Sequence, residues 1–568
     1  MDVIDHEGMK RINKDLPEGH ALLDFRNFLY LVWEFLALPE PTPIQYDLAH
    51  EMQLNSLNPL LKRKGIIQAP RGLGKSYICS AFAVWRLRLD RDQKIMVVSG
   101  NEARAADFTQ FTQKLIDGMD LFEDLRGGSR KSALSFDVAG SSFSHSPSMK
   151  AAGIMGSITG GRATLIIGDD CETPSSVETQ GSREKLDSRV KEFNDIIIPE
   201  SQEVIFLGTP QGEESVYNKL TERNHRLQVW TAETVTPAIN ENRYGGCVVP
   251  FCVADVAGEP TEPTRFSKVI LETKKVEHGR TRYQQQYMLC PYLMDADKFP
   301  LKINDLIVTD VDTHRAAQYH VWSTRLDRVI DLPCVGFNGD KYHEPIESGG
   351  GLVEFTGSLL SIDPAGRGAD ETSYCVTKML NGYVYVMAAG GFKGGYEEET
   401  LEKLCLIAKK HEVNMVEFES NFGDAMFGAL LKPVMARIYP CQIEEKRATT
   451  SKEARICDIL EPLMNSHKLI INKRVIQDDH DSIQSYRQET RVNYSLFYQM
   501  SRLTRDKGCL NHDDRIDVLA MGCGYWLEAV QQDAVKMMAI RRDQAFKEEL
   551  EAFSAGVFGS KPKSLTFF

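Results

Sequence analysis

The sequence predicts an α/β protein built on two separate sheets, and three observations carry that expectation. Short apolar runs of parallel-sheet type alternate with helical segments through the first 235 residues. The first of those runs, from Gly65 to Ile67, feeds a glycine-rich turn and then a helix. After residue 301 a second series of strands and helices places carboxylates at strand ends. A chain of 568 residues is too long for one hydrophobic core and suggests two to four domains.

In chain order, the opening residues read as helical. The segment from Phe25 to Leu36 supplies an apolar face and is followed by the proline-rich turn Pro39-Glu40-Pro41-Thr42-Pro43-Ile44-Gln45. Gln45 lies about 30 residues before Lys75, where the glutamine motif of helicase-like ATPases places an amide that reads the adenine edge through paired donor and acceptor bonds.

The turn Ala69-Pro70-Arg71-Gly72-Leu73-Gly74-Lys75-Ser76 then opens a helix from Tyr77 to Leu89. Backbone N–H groups of such a loop, with the positive end of the helix, wrap a polyphosphate. Lys75 reaches the terminal phosphates, the Ser76 hydroxyl ligates magnesium, and Gly72 and Gly74 sit where the loop must turn. Ala69 stands where the motif usually carries its first glycine, which alanine tolerates if φ stays negative.

The next strand spans Lys94 to Ser99, and a helix follows through residues 101–119. A further apolar strand from Thr164 ends in Asp169, Asp170 and, two residues on, Glu172. The first acid after such a strand holds magnesium and a neighbour polarises the attacking water. Asp169 and Asp170 fit those roles, with Glu172 a rival for the second. The strand from Glu203 ends in Gly208-Thr209-Pro210, where a γ-phosphate sensor lies.

Strands ending in Gly-Lys-Ser, Asp-Asp and Gly-Thr-Pro gather their chemistry at one edge of an open parallel sheet, the pattern of a P-loop ATPase of the RecA-like/ASCE class. The glycine-rich run from Gly153 to Arg162 precedes the acid strand. Arg162 and Arg71 are the candidates for stabilising charge on a transferring phosphoryl group, in the same or a neighbouring subunit.

Residues 236–300, broken by Pro237, Pro250, Pro260 and Pro263, read as a lid or linker subdomain. Leu301 to Gly351 is ambiguous, with a flexible loop at 347–351. A strand then ends at Asp363, and two more flank the Asn381-Gly382 turn of a hairpin. A helix, a strand from Asn414 to Glu419, a further helix, a strand near Cys441 and a late helix opening at Asn511 complete the order of an RNase H-like fold.

Asp363, Glu419 and Asp514 can surround two divalent metals about 3.5 to 4 Å apart, which clamp the attacking and leaving oxygens of a phosphodiester. Asp513 is a second helix acid, as ligand or cap, and Asp517 lies one turn after Asp514 on the same face. The expected divisions are residues 1–235, 236–300, 301–530 and a helix with a looser tail at 531–568.

A formal net charge of −13, from 67 basic and 80 acidic residues, argues against a protein that coats nucleic acid over its whole surface. It leaves room for a local basic groove or a carboxylate-rich metal site. The 12 cysteines form no Cys-x-x-Cys pair and read as reduced core thiols; Cys247, Cys252 and Cys290 lack zinc spacing. No apolar run approaches the roughly 18 to 20 residues that cross a bilayer, and the charged N-terminus lacks a signal peptide's apolar core. A cytoplasmic location without membrane contact is expected.

The ordered set APRGLGKS at 69–76, LIIGDD at 165–170, LGTP at 207–210, SIDPAG at 361–366, FESN at 418–421 and HDDRID at 512–517 resembles the large terminase subunit of tailed double-stranded DNA bacteriophages, in texture the short-tailed type. The resemblance covers Gln45 to about Tyr525. It implies a DNA-packaging motor that cuts concatemeric viral DNA and pumps it through a portal into a procapsid, as an ATP-driven ring taken as a pentamer, with a small terminase subunit selecting DNA. It implies further that Lys75, Ser76 and Asp169 bind ATP and Mg2+, Asp170 activates water and Thr209 couples hydrolysis to movement. Asp363, Glu419 and Asp514 would cut double-stranded DNA with Mg2+ or Mn2+. Such a protein works in the host cytoplasm on the procapsid portal and is absent from the mature virion. A helicase would share the first half but needs a second ATPase core, and a non-catalytic scaffold would not need the acids. On this reading the tail from Ser554 to Phe568 either docks on the portal or frays from a helix folded back on the nuclease domain.

Overall fold

The computed structural model describes residues 19–57, 64–291, 298–337, 339–365, 371–419, 425–446 and 452–529. The C-terminal helix and tail expected at 531–568 lie outside them. Contacts divide the chain into two units, Met1–Lys298 and Phe299–Phe568.

The first unit is organised by strands β1 (Lys64–Gln68), β2 (Ile95–Ser99), β3 (Ser135–Phe136), β4 (Met149–Gly153), β5 (Leu165–Asp169), β6 (Glu203–Leu207) and β7 (Arg226–Val229). They lie in the order β3-β4-β2-β5-β6-β1-β7. Every pairing is parallel except β3 with β4. Strand β6 sits between the phosphate-loop strand β1 and the acid-bearing β5, as the ASCE arrangement requires.

Near-continuous apolar strands are what two covered faces demand. Ile67, Val97, Ile167 and Ile205 pack with the phosphate-loop helix on one face. Ile66, Met96, Ile166 and Val204 pack with Leu186, Val190 and Phe193 on the other. The phosphate-loop helix, Lys75–Leu89, is buried from Ile78 to Leu87, and that burial takes in Arg86.

The cost of placing a guanidinium there is offset by Glu203, the first residue of β6. Arg86 Nη1 donates to both carboxylate oxygens at 2.7 and 2.6 Å and lies 3.1 Å from Ser56 Oγ, which also donates to Glu203. The far end of the loop helix is thereby tied to the central sheet and to the helix Pro43–Leu57.

The second unit contributes β8 (Ile307–Thr309), β9 (Arg315–Val321), β10 (Val329–Ile330), β11 (Tyr342–His343), β12 (Glu347–Glu354), β13 (Gly357–Asp363), β14 (Glu371–Leu380), β15 (Tyr383–Lys393), β16 (Met415–Glu419), β17 (Gln442–Lys446) and β18 (Leu469–Asn472). The main sheet runs β17-β16-β13-β14-β15-β18-β8. Three antiparallel strands, β13 to β15, are joined by β16 and β17 parallel to β13. That is the RNase H-like sheet, extended on its β15 side by β18 and β8.

The β14–β15 hairpin turns at Asn381 and Gly382 with φ of 52° and 78°, the left-handed pair that an Asn-Gly sequence accommodates. The loop expected at 347–351 is instead part of β12. This strand pairs antiparallel with β9 in a separate ribbon, with a bulge between Gly349 and Leu352 where the glycines interrupt its register.

The late helix, residues 514–529, lies across this sheet antiparallel to β13. Trp526 Nε1 donates to Thr377 Oγ1 at 2.9 Å, Gly522 faces Ser361, and Ser373 Oγ donates to the Asp514 carbonyl at 2.9 Å. Its first turn therefore arrives at the end of β13 that carries Asp363.

Because removing one member of a buried ion pair strands the other charge, Glu203→Ala should lower the stability of the first unit by about 3 to 5 kcal/mol. Asp117→Ala, which opens the exposed pair with Lys131, should leave it nearly unchanged. Chemical denaturation of both variants checks this, and equal midpoints would contradict the anchoring role.

Candidate functional site

The phosphate loop is shaped from several directions. Gly72 and Gly74 adopt φ of 87° and 86°, whereas Ala69 is not among the residues with positive φ, so the alanine substitution costs the loop nothing. Lys75 Nζ donates to the carbonyls of Ala69 and, at 3.3 Å, Pro70. Arg265 Nε donates to Gly72 O at 2.7 Å, and Arg71 N donates to Gln286 O at 3.1 Å. The segment read as a lid therefore grips the loop directly. No local period in the sequence marks Arg265 or Gln286 for this task.

Gln45 departs from the role expected of it. It is 1% exposed, its Oε1 accepts from Thr42 N at 3.0 Å, and its Nε2 donates to Leu73 O at 2.7 Å. A buried amide with both ends on backbone staples the loop and does not present itself to a base edge.

Ser76 and Asp169 face each other, Oγ to carboxylate at 3.3 and 3.4 Å. Burial, aided by the neighbouring Asp170, pushes Asp169 up to about 6, against the pull of Ser76 and Lys75. Burial likewise lowers Lys75, against the attraction of Asp170 and Asp169. The sign of each shift is that of charged groups partly withdrawn from water.

Asp170 and Glu172 separate cleanly. Asp170 is half-buried, holds a left-handed φ of 46°, and lies 3.8 Å from Arg104. Glu172 is buried and raised by that burial, with its oxygens accepting from Gln211 N at 2.6 Å, Val216 N at 2.7 Å and Ser215 Oγ at 2.9 Å. Glu172 thus braces the loop after β6, the loop that carries Thr209. Gln285 Nε2 holds the same loop, at 3.0 Å from Gln211 Oε1.

Of the two candidate arginines, Arg71 lies in the loop beside Lys75. Arg162 precedes β5 at the end opposite the acids, so the length of that strand, about 13 Å, separates it from them. Its guanidinium donates to Asp195 O. Arg162 does not reach the phosphate loop of its own chain.

In the second unit, Asp363 and Glu419 end adjacent parallel strands. Burial lifts Asp363 well above the carboxylate range, and Asp517, Asp514 and Glu419 add to the rise against the pull of Lys452. Burial also raises Glu419, with Asp517 next, and raises Asp517 itself. Lys452 Nζ sits 2.7 Å from Asp513 and 3.2 Å from Asp517, while Arg455 Nη2 lies 2.7 Å from Asp517. Asp363, Glu419, Asp514 and Asp517 thus form one electrostatic cluster. Among the described residues, no three acids stand close enough to hold one ion as they are. Asp513 is turned to Lys452. Asp517, which the sequence marks only as a neighbour on the same face, is a full member of the cluster, and nothing local in the sequence points to Lys452 and Arg455.

The helix that brings these acids is held by Arg515, 0% exposed. It donates to both Glu371 oxygens at 2.9 Å and to Asp479 and Ser482 at 2.8 Å.

Comparison with known proteins agrees with this layout. Residues 66–237 match the family model described as terminase large subunit, T4likevirus-type, N-terminal, and residues 362–469 match that of the Bacteriophage T7 terminase Ribonuclease H-like domain. The "Terminase, large subunit" of Enterobacteria phage T3 is 40% identical over 540 residues, 93% of this chain and 91% of that protein. Looser likenesses join the chain to the HK97 bacteriophage large terminase (TM-score 0.42, 10% identity, 89% of this chain and 99% of that one) and to the human cytomegalovirus terminase nuclease domain (TM-score 0.22, 13% identity, 30% and 82%).

Glu172→Ala should cost the first unit about 2 to 4 kcal/mol, because two backbone N–H groups and a hydroxyl lose their acceptor. Asp170→Asn, half-buried and without those donors, should leave stability near that of the parent. Thermal unfolding of the two variants distinguishes them, and equal losses would mean that Glu172 is not the brace.

Proposed function

This chain belongs to the large terminase subunits of T3/T7-like short-tailed phages, enzymes with ATPase-type and nuclease-type domains, and from that premise we propose how its two sites divide the work. The first unit hydrolyses ATP to move double-stranded DNA, and the second cleaves it. The observation that carries this reading is the pairing, in one chain, of a glycine-turned phosphate loop facing Asp169 with a cluster of carboxylates at the strand ends of an RNase H-like sheet.

The residues fit the groups such chemistry needs. A hydroxyl and a carboxylate within 3.4 Å beside a lysine suit a magnesium nucleotide. An all-carboxylate donor set whose members raise one another suits hard divalent cations. When bound, Mg2+ at the first site and Mg2+ or Mn2+ at the second supply Lewis-acid charge to phosphoryl oxygens.

At the phosphate loop, the backbone N–H groups between Gly72 and Ser76 cradle the polyphosphate of ATP and Lys75 neutralises its terminal charge. Asp170, whose oxygens are free of the bracing that occupies Glu172, orients the attacking water. Arg71 contributes charge in cis, and Arg162 is available only to a neighbouring subunit. Thr209, on the loop fixed by Glu172 and Gln285, relays the state of the terminal phosphate to the lid that grips Gly72. In the second unit Asp363, Glu419 and Asp514, with Asp517, would hold divalent ions whose charge would favour attack of water on a DNA phosphodiester, and Asp513 keeps Lys452 in place. As a packaging motor the chain acts in a ring, taken as a pentamer, on the portal of a procapsid in the host cytoplasm, with a small subunit delivering DNA. No helix among the described residues is long and apolar enough to cross a membrane.

Lys75→Ala should reduce ATP turnover by about a hundredfold or more while metal-dependent cleavage of duplex DNA continues. Asp363→Asn should do the reverse. Both rates measured on each full-length variant check the division, and loss of both activities in either one would contradict separate sites.

A further inference from the structure

A cavity of about 360 Å3 lies on the sheet of the first unit, between β2 and β4 and beneath the glycine-rich run that ends in Arg162. Its floor is on the face opposite the phosphate-loop helix. Met96 and Lys150 are register partners on adjacent strands, and Met96 and Ala152 belong to the core of that face. Lys94, just ahead of β2, also lines the cavity.

The lining is strongly basic in a chain whose net charge is −13. Lys94, Arg130, His145, Lys150 and Arg162 oppose Glu102. Two of these cations are already engaged. Arg130 donates to the carbonyls of His145 and Ser144 at 3.0 and 2.7 Å and lies 3.4 Å from Asp137, and Arg162 donates to Asp195 O. Lys94 and Lys150 are different. Among the described residues neither ammonium has a hydrogen-bond or ion-pair partner, and Lys94 is only 8% exposed.

Like charges gathered along one concave lining, two of them unpaired, raise the local positive potential and favour an anion from outside the chain. Gly153, Gly156, Gly160 and Gly161 also line the cavity and let a ligand approach the backbone. We propose that this pocket is a phosphate-binding site distinct from the nucleotide loop, taking one phosphate group of the DNA backbone or of a small free phosphate. It gives the glycine-rich run a use that Arg162 cannot supply within its own subunit. The inference rests on the motor reading only for the choice of DNA as one probe.

The test is the full-length double variant Lys94→Met/Lys150→Met. In the DNA arm, binding of a fluorescent duplex is followed by anisotropy between 50 and 200 mM salt, the range over which phosphate contacts show. The expected result is an affinity about tenfold weaker and a salt slope smaller by about one. In the other arm, calorimetric titration with inorganic phosphate should show saturable heat in the parent that the variant loses if a free phosphate is the occupant. Either loss supports the site and names its source. Unchanged DNA affinity and slope together with unchanged phosphate titration would overturn it. ATP turnover without DNA reports that the variant is folded, and Lys150→Gln replaces the double variant if that turnover falls. A parent chain that binds no DNA and hydrolyses no ATP would defeat the motor reading, while the phosphate arm would still decide the pocket.

Discussion

Each unit depends on one arginine placed where water cannot reach it. Arg86 and Arg515 are 3% and 0% exposed, and each is answered by carboxylates buried to the same degree. Such pairs add little net stability against an apolar core of equal volume, but they tolerate few alternative geometries. Both therefore act as locators. Arg86 fixes the helix that begins at Lys75, and Arg515 fixes the helix that begins at Asp514. Arg515 stands between Asp514 and Asp517 in sequence, and its bonds to Glu371 on β14 and to Asp479 set the rotation at which those acids are presented.

That placement matters because the acids repel one another. Burial and like charge raise Asp363, Glu419 and Asp517 together, and Lys452 and Arg455 supply the positive charge that keeps the cluster compatible with folding. The same logic operates on a smaller scale at Asp169, held near Ser76 with Asp170 beside it. Glu172 shows the contrast. Both its oxygens accept from the chain's own donors, and through them it builds the loop that carries Thr209.

Much of this is legible in the sequence because it is local. A glycine turn after an apolar strand, acids directly after another, and an Asn-Gly pair between two alternating runs each encode their geometry within a few residues. The RNase H-like strand order follows from the same kind of signal. What the sequence hides depends on partners far along the chain. Gln45 carries a motif glutamine's spacing, yet its burial is decided by Leu73. Arg265 and Gln286 meet the phosphate loop from a proline-broken segment with no period to read. Arg162 follows glycines typical of a phosphate site, but only the direction of β5 reveals that it stands at the wrong end. The ribbon strand β12 reads as a loop because its glycines mask a pairing that β9 alone confirms.

The most direct test of the locating role is the rate of metal-dependent DNA cleavage by Arg515→Lys, a change that keeps the charge but cannot reproduce the fork of bonds to Glu371 and Asp479. The account predicts cleavage slower by about ten- to a hundredfold, with ATP turnover unchanged and the unfolding transition of the second unit still above the assay temperature. Cleavage at the parent rate by this variant would contradict it.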